Sequence, residues 1–528
     1  MSQQEPDLAV YDKRHRFFGL LAVFLIYGTL GYYIQALNIA RPQIAAAFDS
    51  TALISWSVSL PALVGAFVTL LYGKLSDMYG RRVLLLVSMV FALVGTALAA
   101  LSPSFPFLIV VTSIGALGIG GMMPLIMAAI GDMYPPVERS KWIGMLNIPM
   151  GIATFLGPTL GGWLSDTWGW NYVFWAAVPF LVIGLILIPL GIPKLAARSR
   201  SHAIDIRGCV LSILASTTTI VGFSLAGNPY PWASYEIIGL LGLSLLFWVL
   251  FFRQENRARE PILEPEVLRN RSFATVAGAT FLSSFGQMAM MVYFPMFLQG
   301  VLGTSATLSG KVFTPFIVMM AFVGIPVGFL IGRTKRYKYL YIIGFAIATL
   351  QMFGTVLLSA DSPIGWCWLV TFVGGVGLGA IPTVNTMVVQ NALPKRLMGA
   401  AMGALFFSLM LGVAIAPAIL GSAMNHSYAR SLVLPEDLQL RTDAATMASL
   451  ENPDALLSAG SMSVLEASFR GLGPGGDALF HRTVDAIRTA LESGLRTTFL
   501  IGAITMLLAF LLISTIPEVP IGSGADPE

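Results

Sequence analysis

Long apolar stretches separated by short polar connections run through nearly the whole chain. A helix needs about 20 apolar residues to cross the hydrocarbon core of a bilayer. About fourteen stretches of this length occur, and the pattern predicts an all-α integral membrane protein. The predicted spans are residues 17–40, 52–72, 83–101, 106–131, 142–164, 172–192, 208–226, 234–252, 273–299, 308–332, 339–359, 365–388, 398–422 and 496–516.

Composition supports the membrane class independently of the spans. Of the 528 residues, 56% are hydrophobic and 11% are charged, whereas a soluble domain usually carries about twice that charged fraction. The net charge of +4 does not indicate a nucleic-acid partner, because the basic residues are spread over short loops rather than gathered on one face. Cys209 and Cys367 lie far apart in apolar stretches, so we predict no disulfide framework, metal site or cofactor.

Lysine and arginine fall in alternate connections, whereas the short outer connections 226–235 and 361–365 carry almost none. Because cytoplasmic loops are enriched in these residues, we predict a multi-pass protein of the inner (plasma) membrane with both termini in the cytoplasm. The predicted cytoplasmic residues are Lys74, Arg81, Arg82, Arg139, Lys141, Lys194, Arg198, Arg200, the basic residues of 253–271, Arg333, Lys335, Arg336, Lys338, Lys395 and Arg396.

An internal repeat explains the number of spans. Short motifs recur at a spacing of about 258 residues, as expected for a duplicated unit. The pairs are 121–124 with 379–382, Pro136 with Pro394, and 157–161 with 416–421. The pattern therefore predicts two pseudo-symmetric six-helix bundles plus two linker helices, with the substrate site between the bundles.

The predicted organisation follows from the spans and the repeat. Its parts are a cytoplasmic tail at 1–16, an N-terminal six-helix bundle at 17–192, a cytoplasmic loop at 193–207, two linker transmembrane helices at 208–252, a cytoplasmic loop at 253–272, a C-terminal six-helix bundle at 273–516 that includes an outer loop at 425–495, and a cytoplasmic tail at 517–528.

The most informative segment is Gly73–Arg82, here called the signature segment, which we interpret as a charged loop between two spans. It resembles the signature loop of the major facilitator superfamily of transporters, G-x-L-a-D-r-x-G-r-k. Gly73, Leu75, Asp77, Gly80, Arg81 and Arg82 match, whereas Met78 replaces a basic residue. The resemblance implies that the segment latches the two halves in one conformation. The alternative is an ordinary tight loop between membrane helices.

A second motif lies in the fifth span, where the run 157–162 is similar to the antiporter motif g-x-x-x-G-P-x-x-G-G. Small residues allow close helix contact, and Pro158 removes one backbone hydrogen bond, so a conformational role competes with simple packing. With the runs 168–174, 298–305 and 389–394, the chain resembles the fourteen-helix drug:proton antiporter branch. The candidate gating residues are Gly73, Asp77, Gly80, Arg81, Arg82, Gly157, Pro158, Gly161 and Gly162.

The sequence departs from that branch at the positions associated with proton coupling. Tyr33 stands where the branch has a membrane-embedded aspartate, and the run 114–118 lacks the arginine and glutamine of R-x-x-Q-G. Intramembrane carboxylates or histidines usually carry proton coupling, and none lies near a predicted midplane. The resemblance implies a proton antiporter, and the residues leave open an uncoupled or differently coupled facilitator and a non-transporting sensor or scaffold.

A nearly uncharged interior favours export of hydrophobic or amphiphilic small molecules, drug-like or lipid, over sugars, which need many hydrogen-bonding groups. Amides on the spans and two outer cations provide the polar contacts of this predicted pathway. The candidates are Gln35, Asn38, Asn147, Gln287, Asn385, Arg41 and Lys311. Hydrogen bonding between helices is the alternative for the amides, and extension of the side chain to the membrane surface is the alternative for Lys311.

The segment 425–495 is the one long predicted outer loop. Its end, 477–491, has helical periodicity and is predicted to lie on the outer leaflet before the last span. Docking of an extracytoplasmic partner is the alternative. The glycine run 471–476 lacks a preceding strand, so we predict no nucleotide site. No catalytic constellation is apparent at the membrane surface, so we predict a transporter rather than a lipid-modifying enzyme.

Overall fold

The computed structural model describes residues 12–48, 54–193, 205–227, 230–258, 261–435, 466, 469–470 and 476–517. Within these ranges the chain is built from long α-helices, which we number α1 to α14. They are α1 Lys13–Ala47, α2 Ile54–Tyr79, α3 Arg81–Ala100, α4 Phe105–Met133, α5 Pro136–Met145 with Asn147–Thr167, α6 Asn171–Trp175 with Val178–Gly191, α7 Ile206–Leu225, α8 Tyr235–Glu255, α9 Arg271–Met288 continued by π-helical turns to Val301, α10 Ala306–Phe322 with Gly324–Thr334, α11 Lys338–Val356, α12 Ile364–Ala392, α13 Met398–Ser431 and α14 Gly476–Ser514.

The described helices confirm the predicted class of all-α membrane protein. Thirteen of them have the length and apolar composition needed to cross a bilayer, and α2, with 26 residues, is the fourteenth. Residues 1–11 and 518–528 of the tails and the loop residues 194–204 and 436–465 lie outside the described residues, so what the sequence predicts for them stays a prediction.

The signature segment is mostly helix, so its interpretation as a loop was wrong. Helix α2 continues through Tyr79, and the chain turns into α3 at Gly80 alone, where φ is 91°. A residue with a side chain rarely adopts this φ, which explains the glycine. The short turn is possible because Ser76 and Gly80 still share a backbone hydrogen bond of 3.1 Å.

The helix contacts repeat between the two halves of the chain. In the first half α1 packs against α5 and α6, while α2 and α3 pack against α4. In the second half α9 packs against α13 and α14, while α10 and α11 pack against α12. Each contact recurs with both helix numbers raised by eight, so the two halves are the duplicated bundles that the motif spacing predicts.

Two symmetric contacts join the halves, α2 with α13 and α5 with α10. We call the side of the molecule that carries Gly80 the inner face and the opposite side the outer face; that the inner face is cytoplasmic stays a prediction. Glycines line both contacts toward the inner face, since Gly73 lies against Gly399 and Gly403, and Gly144 lies against Gly324. Together these two contacts form the inner seam.

The linker pair lies beside the inner seam. Helix α7 packs on α2 of the first half and on α13 of the second half, whereas α8 packs on α7. At the outer end the indole of Trp232 donates a hydrogen bond of 2.5 Å to Ser422 on α13. The two extra helices therefore contact both halves at one edge of the seam.

Helix α14 corrects the prediction of an outer-leaflet helix at 477–491. That segment is continuous with the last span, and the whole helix has 39 residues. Its apolar face packs on protein rather than lipid, because Ile487 and Leu491 are fully buried and Ser493 bonds Ser427 and Ser431 of α13. The amphipathic pattern is thus satisfied by the neighbouring extension of α13.

We expect Gly144→Ala to destabilise the closed inner seam by about 1–3 kcal/mol, the usual cost of overfilling a packed contact. A β-carbon at this position would lie 2.6 Å from the carbonyl oxygen of Gly324, so two backbones must separate. Thermal unfolding of the purified protein measures the effect. The matched control is Gly239→Ala on α8, where a β-carbon meets nothing within 4 Å; equal stability of the two variants would contradict the expectation.

Candidate functional site

The centre of the inner seam is a carboxylate from one half bound to a helix end of the other. Asp77, near the inner end of α2, accepts hydrogen bonds from the backbone N–H groups of Gly399 at 3.0 Å and Ala400 at 2.8 Å. Both residues belong to the first turn of α13. The N–H groups of a first turn have no partner within their helix and carry partial positive charge, so they bind a carboxylate well.

Arg81 holds this carboxylate in place. Its Nη2 lies 2.6 Å from Asp77 Oδ1, and its Nε lies 3.0 Å from Asp132 Oδ2 at the end of α4. Ser76 also accepts a hydrogen bond from Arg81. The guanidinium and both carboxylates are largely shielded, with side-chain exposures of 5%, 12% and 10%, which strengthens their attraction relative to water. We call Asp77, Arg81, Asp132 and the N–H groups of Gly399 and Ala400 the inner latch.

A second hydrogen bond crosses between the halves beside the latch. The side-chain amide of Gln390 on α12 donates to the backbone carbonyl of Met127 on α4 at 3.0 Å. One turn further along α4, Gly131 leaves room for the sulfur of Met398. Buried amides that cross a helix interface fix the alignment of the two helices. This bond therefore fixes the position of α12 relative to α4 beside the inner latch.

An apolar cavity of about 310 Å³ lies on the outer side of the latch, between α1, α2, α4 and α13. Its lining residues are Leu30, Tyr33, Ile34, Leu37, Pro61, Ala62, Gly65, Ala66, Thr69, Thr112, Ala116, Ile119, Gly120, Met123, Phe406 and Met410. None of these described residues is an aspartate, glutamate, histidine, lysine or arginine. Thr69 already donates toward the carbonyls of Gly65 and Gly120 at 2.7 and 2.6 Å, so few polar groups face the space.

Two bundles of equivalent helices meeting around a central cavity define a transporter architecture. The sequence of this chain matches the family model of the Major Facilitator Superfamily over residues 19–417. The chain belongs to the major facilitator superfamily. The predicted superfamily is thereby confirmed, and so is the prediction of a transporter rather than an enzyme, since this family consists of transporters.

Among its relatives, the "Multidrug resistance protein 3" of Bacillus subtilis is 28% identical over 471 residues, covering 88% of each chain. The "Multidrug transporter protein MdtP" of the same species is 29% identical, covering 73% of this chain and 71% of its own. The solved structure of the human organic anion transporter MFSD10 (TETRAN) superposes with a TM-score of 0.60 at 15% identity, covering 94% of this chain and 99% of that one. This last similarity concerns the fold.

The antiporter-like motif of this superfamily member packs inside the first half. A β-carbon at Gly157 would meet the side chain of Gln35 at 2.9 Å, and one at Gly161 would meet Ala36 at 2.8 Å. These glycines therefore bring α5 close to α1. Gly162 is half-buried, and the side chain of Pro158 lies outside the described residues. A gating role for this motif stays a prediction.

The predicted amides occupy different places in the facilitator fold. Asn147 on α5 lies at the inner seam, where its Nδ2 donates to the carbonyl of Gly144 at 3.1 Å and approaches Thr383 Oγ1 of α12 at 3.5 Å. Asn385 is buried inside the second half, donates to Thr280 at 2.8 Å and accepts a hydrogen bond from Tyr341. In this conformation Asn385 joins three helices of its own bundle, as the alternative interpretation expects.

The other predicted pathway residues with described side chains lie apart from the cavity wall. Gln287 is half-buried, with its Nε2 3.9 Å from the sulfur of Met320, and Lys311 is exposed near the start of α10. The side chains of Asn38 and Arg41 on α1 lie outside the described residues. Of the five described candidates none lines the cavity, so their role in a substrate pathway stays a prediction.

Asp132, Gln390 and the partners of Asp77 on the other half, Gly399 and Ala400, were missed at the sequence level. Asp132 had a usable signal, because it is an acid at the inner end of an otherwise apolar span, level with the signature segment. Gln390 lies in the run 389–394 that already resembled the family. The N–H groups of Gly399 and Ala400 had no sequence signal, because every residue except proline carries a backbone N–H group.

We expect Asp77→Asn to reduce transport at least tenfold while leaving the protein folded. The neutral amide loses the charge-assisted hydrogen bonds to Gly399 and Ala400, each worth about 1.5–3 kcal/mol, and it directs an N–H₂ group toward donors. Substrate flux into liposomes measures the loss, and gel filtration checks folding.

The matched control is Asp132→Asn, which removes the other partner of Arg81 within the first half and leaves the contact to α13 intact. We expect a smaller loss of flux than for Asp77→Asn. Flux of the Asp77→Asn variant equal to that of the unmodified protein would remove the inner latch from the transport cycle.

Proposed function

We propose that the protein is a secondary active transporter that exports hydrophobic or amphiphilic small molecules, drug-like or lipid, by alternating access. The observation that carries this proposal is the cavity of about 310 Å³ whose described lining has no aspartate, glutamate, histidine, lysine or arginine. The relatives named multidrug transporters favour the same substrate class.

The described conformation corresponds to the outward-facing state in this proposal. The inner seam and the inner latch close one side, and the cavity lies beyond them toward the outer face. Loading a substrate from the inner side requires Asp77 to leave Gly399 and Ala400, and requires the paired glycines of the seam to separate. Closely packed interfaces of this kind switch between discrete arrangements rather than deforming gradually.

The substrate class follows from the chemistry of the cavity wall. A sugar loses its hydrogen bonds with water on entering and, in the described lining, finds only Tyr33, Thr69 and Thr112 as polar side chains in return. Burying such polar groups without replacement bonds costs free energy. An amphiphile buries apolar surface there, at about 25 cal/mol gained per Å².

A second part of the proposal concerns the coupling of transport to an ion gradient. The family resemblance favours exchange against protons, and we propose antiport as the first candidate. An uncoupled or differently coupled facilitator is the second, and the observation in its favour is that Tyr33 on the cavity wall replaces an aspartate while no side chain of the described lining is a carboxylate or histidine.

Flux assays with purified protein in liposomes test these alternatives. The proposal predicts uptake of a lipophilic fluorescent dye into inverted vesicles and no uptake of a labelled sugar. Faster dye movement under an imposed pH gradient supports antiport, whereas equal movement with and without the gradient supports the facilitator. Sugar movement without dye movement overturns the proposed substrate class, and absence of any flux favours a sensor or scaffold.

Filling the cavity should block transport. We expect Ala62→Trp to lower dye flux roughly tenfold or more, because the indole ring occupies substrate volume and a loss of about 1.4 kcal/mol in binding corresponds to a tenfold change in affinity. Ala62 lines the cavity and is exposed to it. The control is Leu245→Trp on the exposed surface of α8; an equal effect of both variants would show that the cavity is not the substrate site.

A further inference from the structure

The connection between the linker helices and the second half is an ordered segment, residues 261–270, which we call the strap. It contains a short helix, Pro265–Arg269. Ile262, Leu263 and Val267 are buried, with exposures of 3%, 7% and 0%. The backbone N–H of Leu263 also donates to Glu255 Oε2 at the end of α8 at 2.9 Å. The strap is therefore packed against the protein rather than extended into solvent.

The strap is tied to the second half by two contacts. Glu266 forms an ion pair with Arg396 at the start of α13. The amide of Asn270 donates to the carbonyl of Ala392 at the end of α12 at 2.9 Å. In addition, the strap continues directly into α9. These links make the strap a part of the second half.

One contact reaches the first half. Glu264 forms an ion pair with Lys74, and the two side chains are only 19% and 9% exposed, compared with 51% and 58% for Glu266 and Arg396. Lys74 follows Gly73, which lies against Gly399 in the inner seam. Exposed ion pairs contribute little stability, whereas shielded, charge-assisted hydrogen bonds contribute more. The shielded pair is the one that crosses between the halves.

We infer that the strap is a clasp that stabilises the closed inner seam through Lys74 and Glu264, and that positioning this clasp is a role of the linker helices. When the inner side opens, Lys74 moves with the first half and Glu264 stays with the second, so the pair breaks together with the inner latch. The inference rests on the alternating access proposed above. It explains why α7 contacts both α2 and α13.

Hydrogen–deuterium exchange of the full-length protein in lipid nanodiscs tests the clasp without a transported substrate. In Glu264→Gln we expect amides of residues 398–403, which include the N–H groups held by Asp77, to exchange about tenfold faster, as loss of one charge-assisted hydrogen bond implies. The matched control is Glu266→Gln, which alters a neighbouring pair of the same strap that stays within the second half. In Glu266→Gln, the amides of residues 398–403 should exchange at the same rate as in the unmodified protein.

A double variant that swaps the two charges, Lys74→Glu with Glu264→Lys, should restore the pair. The hydrogen–deuterium exchange rate of residues 398–403 should then return toward that of the unmodified protein. Equal acceleration by Glu264→Gln and Glu266→Gln would mean that only strap folding was affected, and it would overturn the clasp. No acceleration by Glu264→Gln, with acceleration by Asp77→Asn, would overturn the clasp and leave alternation standing. If neither Glu264→Gln nor Asp77→Asn accelerates the exchange, both the clasp and the proposed alternating access would be overturned.

Discussion

The structure depends on the satisfaction of one carboxylate where two largely apolar bundles meet. Removing Asp77 from water without partners would cost several kcal/mol, so the halves close at the inner face only when its oxygens find donors. The first turn of α13 supplies two backbone N–H groups, and Arg81 supplies the opposite charge. Because the donors belong to the other half, satisfaction of this carboxylate and closure of the seam are one event.

Charged side chains and the apolar cavity lie at two different levels of the molecule, the inner face and the space on its outer side. Charged groups that hold the halves together are gathered at the inner face, whereas the described lining of the cavity has no acidic residue, histidine, lysine or arginine. In the proposed function, this division separates substrate binding from the conformational switch, because an apolar compound in the cavity would not compete directly with the carboxylate at the seam. Its binding would then favour one conformation through packing, in particular against Phe406 and Met410 of α13.

Much of this architecture could be predicted from the sequence, because span length and motif spacing are local properties. The importance of Asp77 was likewise visible from Gly73–Arg82 alone. Its partners Gly399 and Ala400 were not, since they lie 322 and 323 positions away along the chain. The pair of Lys74 and Glu264, 190 positions apart, was missed for the same reason, and the signature segment proved to be helical up to Tyr79. Periodicity at 477–491 correctly indicated a helix but not its neighbour, because an apolar face fits lipid and protein equally well.

The length of α14 has a mechanical consequence. At about 1.5 Å per residue its 39 residues extend for about 58 Å, almost twice the thickness of about 30 Å of the hydrocarbon core. Part of α14, packed against α13, therefore extends beyond the thickness of the hydrocarbon core. Under the proposed alternating access, a tilt of the second bundle would displace the end of this helix in proportion to its distance from the pivot, so the movement would be largest at that end.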